Sequence, residues 1–270
     1  MLDHPAIMND REVNAIIEGR KIAFIRMVAP KTMANYNKFN GAWQGIDSLG
    51  ADWLEFVIDS APLHSSAEDY RTKLLSLSPY GSPGDLLWVR ETHFAVAPKN
   101  KDPKHSSHPP YDLWIDGQVP ARSEKDGPHV MKGPMAVVYR ASGKKTWRGR
   151  DWRPSIKMWR WACRLELIVE EIKLMRIQDI DHEGAMKQGI AHVPGKGYAS
   201  DGYLHNLNAQ SAIGALASWW DEMCLNGKRI MDYQSNPWVW NTSFSIDVIR
   251  SGIVSADDLK FKELEYEETI

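Results

Sequence analysis

Arg90 and Glu91 are the adjacent side chains whose setting most demands a partner. They close the run Tyr80-Gly-Ser-Pro-Gly-Asp-Leu-Leu-Trp-Val-Arg-Glu-Thr92, in which Gly81, Pro83 and Gly84 mark a tight turn and Asp85 leads into strand-forming residues. Alternation along a strand puts Leu86, Trp88, Arg90 and Thr92 on one face and Leu87, Val89, Glu91 and His93 on the other. Each face then carries a charge among apolar neighbours, and a half-buried charge requires an opposite charge or a ligand. Residue types alone leave two outcomes open: a buried ion pair inside a small barrel, or a ligand pocket.

A second concentration of chemistry lies between residues 140 and 164, where nine Lys or Arg residues stand against a single acid, Asp151. Trp152, Trp159 and Trp161 are interleaved with those charges. Arg and Lys hold phosphates and an indole stacks on an unpaired base, a combination used in RNA and single-strand recognition. In the competing reading the tryptophans are core, because an indole buries so much apolar area, and the charges face water. The formal net charge of −2 hides this local excess, since residues 257–268 are acidic.

Familiar catalytic motifs fail residue by residue. Gly143-Lys144-Lys145-Thr146 ends like a phosphate-binding loop, but Val138 occupies the position of its first glycine. Gly81-Ser82-Pro83-Gly84 has the wrong spacing for a nucleophile elbow, and no His-Glu-x-x-His occurs. His105 and His108 make a metal site only if further ligands arrive from elsewhere, so they are expected to be solvated loop histidines. No metal or cofactor is expected.

The hydrophobic pattern outlines the elements that must position these groups. Asn9 or Asp10 caps a short helix with Val13, Ile16 and Ile17 on one face and Gly19 as its stop. Residues 20–28 read as a strand in which Lys21 and Arg26 lie on opposite faces, so both line one pocket only if the chain bends or bulges. Residues 53–58 suggest a strand and 67–77 a helix, whereas 98–133 have little periodicity and read as a long loop. Residues 134–140 form a strand, and 163–169 another with Leu165, Leu167 and Val169 inside. Asp181 caps a helix that stops at Gly189, and 192–205 read as a loop. The strongest helix covers 209–225, with a stripe of Ile213, Leu216, Ala217, Trp220, Met223 and Cys224, and 237–246 form a late strand. Several strands with few short helices predict an α+β protein built on a β-barrel with helical decoration.

Size and composition are permissive. A chain of 270 residues buries a substantial core as one enlarged domain or two modest ones, and 43% hydrophobic with 25% charged residues is ordinary for a globular protein. No apolar run approaches the roughly 20 residues that cross a bilayer, and residues 1–9 do not look like a secretory signal. Two cysteines, Cys163 and Cys224, agree with a reducing compartment, so a cytoplasmic location without membrane association is expected.

Three separated stretches resemble the PUA-like ASCH domain proteins common in bacteriophages and prophages: Ile16-Ile-Glu-Gly-Arg-Lys21, the run from Tyr80 to Thr92, and Trp152-Arg-Pro-Ser-Ile-Lys-Met-Trp-Arg-Trp-Ala162. Trp219-Trp220-Asp221 and Asn236-Pro-Trp-Val-Trp240 are similar to the family's closing helix and strand. The resemblance covers most of the chain apart from insertions at about 31–66 and 98–133. It implies one PUA-like domain over residues 1–250, a small mixed β-barrel decorated with helices and long loop insertions, followed by an acidic tail at 251–270. It further implies a cleft beside the first helix suited to RNA, nucleotides or modified bases. Some small ASCH proteins remove the acyl group from N4-acylated cytosine nucleosides with a lysine after Gly-Arg, a threonine three residues on, and a glutamate from a helix. Lys21 matches that lysine, whereas Phe24 stands at the threonine position.

The functional expectation is binding of RNA, DNA or a modified nucleoside. Lys21, Arg26, Arg90 and Glu91 would line the cleft with Arg20, Trp88, Ser155 and Trp161, and Arg153 and Arg160 would extend a basic rim. The enzymatic alternative is an amidohydrolase or nuclease using Lys21 with Glu91 or Glu222 as acid or base. A third is a phage structural or host-interaction protein with a phage or host protein partner, the fold serving as scaffold.

Overall fold

A computed structural model describes residues 2–28, 75–76, 78–97, 111–117, 119–123, 127–131, 134–144, 151–200, 209–226 and 231–255. Strand β1 (Asp3–Ile7) leads into helix α1 (Asp10–Ile17). The helix starts where Asn9 caps it: Asn9 Oδ1 accepts from the backbone N–H groups of Arg11 and Glu12, both at 3.0 Å, and Glu12 Oε2 accepts from Asn9 N at 3.1 Å. This reciprocal box satisfies donors that a first helical turn leaves open. Gly19, at φ 73°, ends the element in the left-handed conformation.

Strand β2 (Ala23–Met27) follows, and then β3 (Leu86–Arg90) and β4 (His93–Val96), separated by Glu91 and Thr92 where one continuous strand was expected. The stretch expected as a long loop instead contains β5 (Leu113–Asp116), β6 (Val119–Ser123) and β7 (Gly127–Met131), ahead of β8 (Met135–Tyr139). Short length hides β5 from periodicity, and Pro120 and Pro128 mask β6 and β7. Among the described residues those two strands pair only with each other, and strands lacking a second neighbour tolerate proline.

Strand β9 (Leu165–Arg176) runs well beyond the predicted segment. Helix α2 (His182–Lys187) has its predicted cap, Asp181 Oδ1 accepting from Gly184 N at 2.7 Å. The next stretch, expected as a loop, forms an antiparallel pair, β10 (Ile190–Val193) with β11 (Gly197–Ser200). Helix α3 (Ala212–Asn226), β12 (Trp238–Ile249) and β13 (Gly252–Ser255) complete the described chain. The first residues of the expected tail thus form a strand, parallel to β5.

The main sheet has the order β1-β3-β9-β12-β2, a second sheet the order β13-β5-β8-β4, and β10–β11 and β6–β7 are separate two-stranded ribbons. The architecture is α+β, mostly sheet with few helices. Among the described residues no closed barrel is formed, which corrects the expected one. Closure would require the terminal strands of a sheet to pair, and β1 and β2 each have a neighbour on one side only. No described helix is long and apolar enough to cross a membrane.

The chain forms two compact units: Met1–His4, Ala15–Leu87 and Leu167–Ile246 make the first, and Pro5–Asn14, Trp88–Glu166 and Asp247–Ile270 the second. In the first, Ala212, Ala215, Leu216, Trp219 and Trp220 of α3 pack with Ile25, Ile177, Ile180 and Val239. The buried face of α3 is rotated from the predicted stripe, with Ile213 37% exposed and Trp219 buried, because the helix is apolar on most sides and periodicity could not single out one. In the second, Leu113, Ile115, Met135, Val137, Tyr139, Met158, Trp161 and Ala162 form the core. The strand expected at 53–58, nearly all of the helix at 67–77, His105, His108 and the tail after residue 255 lie outside the described residues.

Candidate nucleic-acid interface

The turn before β3 is built for glycine. Gly81 sits at φ 77°, and a Cβ there would overlap the His4 imidazole and the Asp85 carboxylate. Asp85 accepts from Leu2 N at 2.7 Å and from Ser82 N at 3.1 Å. The bond from Leu2 does most to hold its carboxyl below the ordinary range, against the opposing effect of burial. From this anchor β3 alternates as predicted: Leu87 and Val89 are fully buried, and Trp88 and Arg90 are half-buried.

Glu91, also fully buried, gives both carboxylate oxygens to Arg164, which donates Nε to Oε1 at 2.8 Å and Nη2 to Oε2 at 2.7 Å. The remaining Arg164 nitrogen, Nη1, donates to Ser142 Oγ at 3.1 Å, and the guanidinium lies 4.2 Å from the Tyr139 ring centroid. Burial pushes the Glu91 carboxyl up while the two hydrogen bonds from Arg164 pull it down. Burial by itself would lower the pKa of Arg164, but its hydrogen bonds and charge interaction with Glu91 hold it above its ordinary value. Of the two outcomes left open above, Glu91 takes the ion pair.

Its neighbour Arg90 has the opposite surroundings. The Arg90 guanidinium lies 5.1 Å from the centre of the Trp88 indole, and its Nε donates to the Ser155 carbonyl oxygen at 3.2 Å. Arg160 approaches the same indole at 5.8 Å while binding Glu166, which also accepts from Arg250 Nη2 at 2.8 Å. Burial would raise the Glu166 carboxyl, but Arg250 and Arg160 together hold it below the ordinary range. Arg153 lies 4.9 Å from the centre of the Trp159 ring, and Trp159 stacks on the buried Trp161 with centroids 5.2 Å apart and planes at 18°. Among the described residues no carboxylate pairs with Arg90 or Arg153. Four other described basic residues of the segment are neutralised, Arg140 by Asp10, Lys144 by Asp112, Arg160 by Glu166 and Arg164 by Glu91, while Lys157 is exposed.

Backbone pairing fastens this segment to β4, because His93 N donates to Arg153 O at 3.2 Å and Arg153 N to His93 O at 2.8 Å. The His93 ring is fully buried, with Nδ1 3.2 Å from the Glu91 carbonyl oxygen. That contact assigns the proton to Nδ1 and leaves Nε2, which has no partner among the described residues, as an acceptor. Burial, reinforced by Arg153 and Arg90, lowers its pKa to about 4. His93 is therefore neutral at pH 7.

The expected site residues divide between the units. Trp88, Arg90, Ser155 and Arg160 are brought into mutual contact in the second; Arg153 belongs to it on Trp159, and Trp161 belongs to its core. Lys21, Arg20, Arg26 and Glu222 belong to the first. Lys21 is 2% exposed, donates Nζ to Gln188 O at 2.9 Å and lies 5.5 Å from the Trp219 ring centroid. Arg20 is held by Glu18, Arg26 donates to Ile25 O at 2.9 Å, and Glu222 is half-buried on α3. Phe24, at the family's threonine position, is core, edge-on to Tyr80 at 4.9 Å.

Sequence reasoning missed Arg164 as the partner of Glu91, Glu166 as the anchor of two arginines, and His93. Glu166 carried a misleading signal: alternation assigned it to the outer face of β9, yet it is 4% exposed because two guanidinium groups cover it. No protein-family model, curated protein or solved structure matches this chain.

Proposed function

We propose that this protein binds single-stranded nucleic acid through the arginine–tryptophan surface of its second unit, as an α+β protein of the PUA-like ASCH type its motifs resemble. One observation carries the reading: Arg90 and Arg160 lie against Trp88 and Arg153 against Trp159, and among the described residues Arg90 and Arg153 have no acid to neutralise them. A guanidinium laid on an indole is pre-oriented to stack on an unpaired base while its remaining N–H groups hold a phosphate. Ser155 strengthens the case by fixing Arg90 through Nε, and among the described residues its terminal nitrogens have no hydrogen-bond partner and are left for a ligand. Binding is favoured over Lys21-driven hydrolysis because Lys21 is sealed against a backbone carbonyl and Glu91 is committed to Arg164.

The test is anisotropy of short labelled single-stranded RNA and DNA over a salt series. Affinity should fall as salt rises, because phosphate contacts release counterions. Replacing both Arg90 and Arg153 by Ala should weaken binding and flatten the slope by roughly one to two. Absent or salt-insensitive binding overturns the reading. Capture of a free modified nucleoside, or of a phage or host protein in place of nucleic acid, would redirect it to those partners.

A further inference from the structure

The first unit contains a cleft of about 260 Å³ that the proposed interface does not use. This is close to the lower bound of ordinary ligand pockets. Four carboxylates line it, Glu171, Asp179, Asp181 and Glu183, against two ammonium groups, Lys173 and Lys187. Each lysine already serves an acid, Lys173 at 2.9 Å from Glu171 and Lys187 at 2.7 Å from Glu183. One oxygen of Asp181 is taken by Gly184 N. Asp179 has no ion-pair partner among the described residues, Asp181 shares with Glu183 the charge of Lys187, and the lining keeps two carboxylates in excess of its ammonium groups.

An independent observation points the same way. Gln188 lines the cleft and is only 6% exposed; its Nε2 donates to Asn241 Oδ1 at 3.1 Å, while its Oε1 meets no donor among the described residues. Asn241 passes its own N–H to Met175 Sδ at 3.5 Å, a weak acceptor, so the amide pair absorbs no surplus donor. A buried amide carbonyl without an N–H is rare in a folded protein and marks where a ligand donor belongs. Among the described residues no three His, Cys, Asp or Glu groups converge on a point that could hold a metal ion. The acceptors are spread out, which suits an extended cation.

We infer that this cleft binds a small organic cation rich in N–H donors, a linear di- or triamine, with ammonium groups on Asp179 and Asp181 and an N–H on the Gln188 side-chain carbonyl. The site is independent of the nucleic-acid reading. Titration calorimetry of the full chain with putrescine and spermidine should give saturable one-site heat, and tetramethylammonium, which has no N–H, should give none. Asp179→Asn and Gln188→Leu should each weaken spermidine binding about tenfold, the order set by losing a hydrogen bond to a charged group. Because Gln188 is buried, Asp179→Asn at an exposed position carries the test if Gln188→Leu lowers the melting temperature. The inference is overturned by an absence of saturable heat at millimolar spermidine, by an equal response to tetramethylammonium, or by unchanged affinity in Asp179→Asn. That last result would assign the amine to another acidic stretch such as residues 257–268. Nucleic-acid affinity of Asp179→Asn should equal that of the unmodified chain, which keeps the two readings separable.

Discussion

The two units handle charge in opposite ways. In the first, carboxylates and amide oxygens gather around a cleft where both lysines are already engaged. In the second, arginines gather around indoles, and two buried acids, Glu91 and Glu166, are spent on Arg164, Arg160 and Arg250. A net charge of −2 thus conceals one acceptor-rich region and one donor-rich region. Partner chemistry is decided by which charges lack a protein counter-ion rather than by the sum. Arg90 and Glu91 show the same division between adjacent residues: alternation turns one toward Trp88 and the other into the interior.

The largest effect should come from breaking the buried pair. Glu91→Ala leaves the Arg164 charge uncompensated in the second unit and should cost about 3–5 kcal/mol in urea unfolding. A double variant, Glu91→Leu with Arg164→Met, should recover most of that loss, because an apolar pair of similar volume needs no counter-charge. If Glu91→Ala unfolds as the unmodified chain does, the pair is not what holds this region.

Acid should act next. The His93 ring binds its proton near pH 4 when folded but near pH 6.5 when unfolded, so between those values the unfolded chain holds more protons and stability falls as pH falls. The loss approaches about 3 kcal/mol at the lower end of that window. His93→Asn should flatten the profile there, read from urea midpoints at each pH. Glu166 adds to the loss at still lower pH, because its arginines hold it below the ordinary carboxylate range and that stabilisation disappears on protonation.

Smaller in free energy, but more direct for function, is replacement of Arg90 and Arg153 by Ala. Affinity for single strands should drop about 10- to 100-fold, with the unfolding midpoint nearly unmoved because neither side chain is in an ion pair among the described residues. The smallest effect sharpens the contrast from the other side: Glu183→Gln removes an exposed i,i+4 partner of Lys187 in the first unit and should leave both stability and nucleic-acid affinity unchanged within error.

Local features were legible where one residue decides the geometry. The cap at Asn9, the stop at Gly19, the cap at Asp181 and the turn at Gly81 all follow from side-chain size or a single hydrogen bond a few residues away. The alternation of β3 was equally legible, and it separated Arg90 from Glu91 before any partner was known. Short strands such as β5 and β10 were not legible, since four residues give period two too little length to register, and β5 in addition depends on β8 and β13, which are remote in sequence.

By itself, then, the sequence determined that charges would sit among apolar neighbours at Arg90 and Glu91, that Trp and Arg would share the segment from 152 to 164, and that the protein would be mixed α+β. Only the tertiary structure decided that Glu91 meets Arg164 across 73 positions, that Glu166 binds Arg250 across 84, and that Lys21 ends on the Gln188 carbonyl across 167. The reason is physical. A buried charge dictates that it must have a counter-charge or an acceptor, but which one arrives depends on how distant strands register, and that information is not local to any stretch of chain.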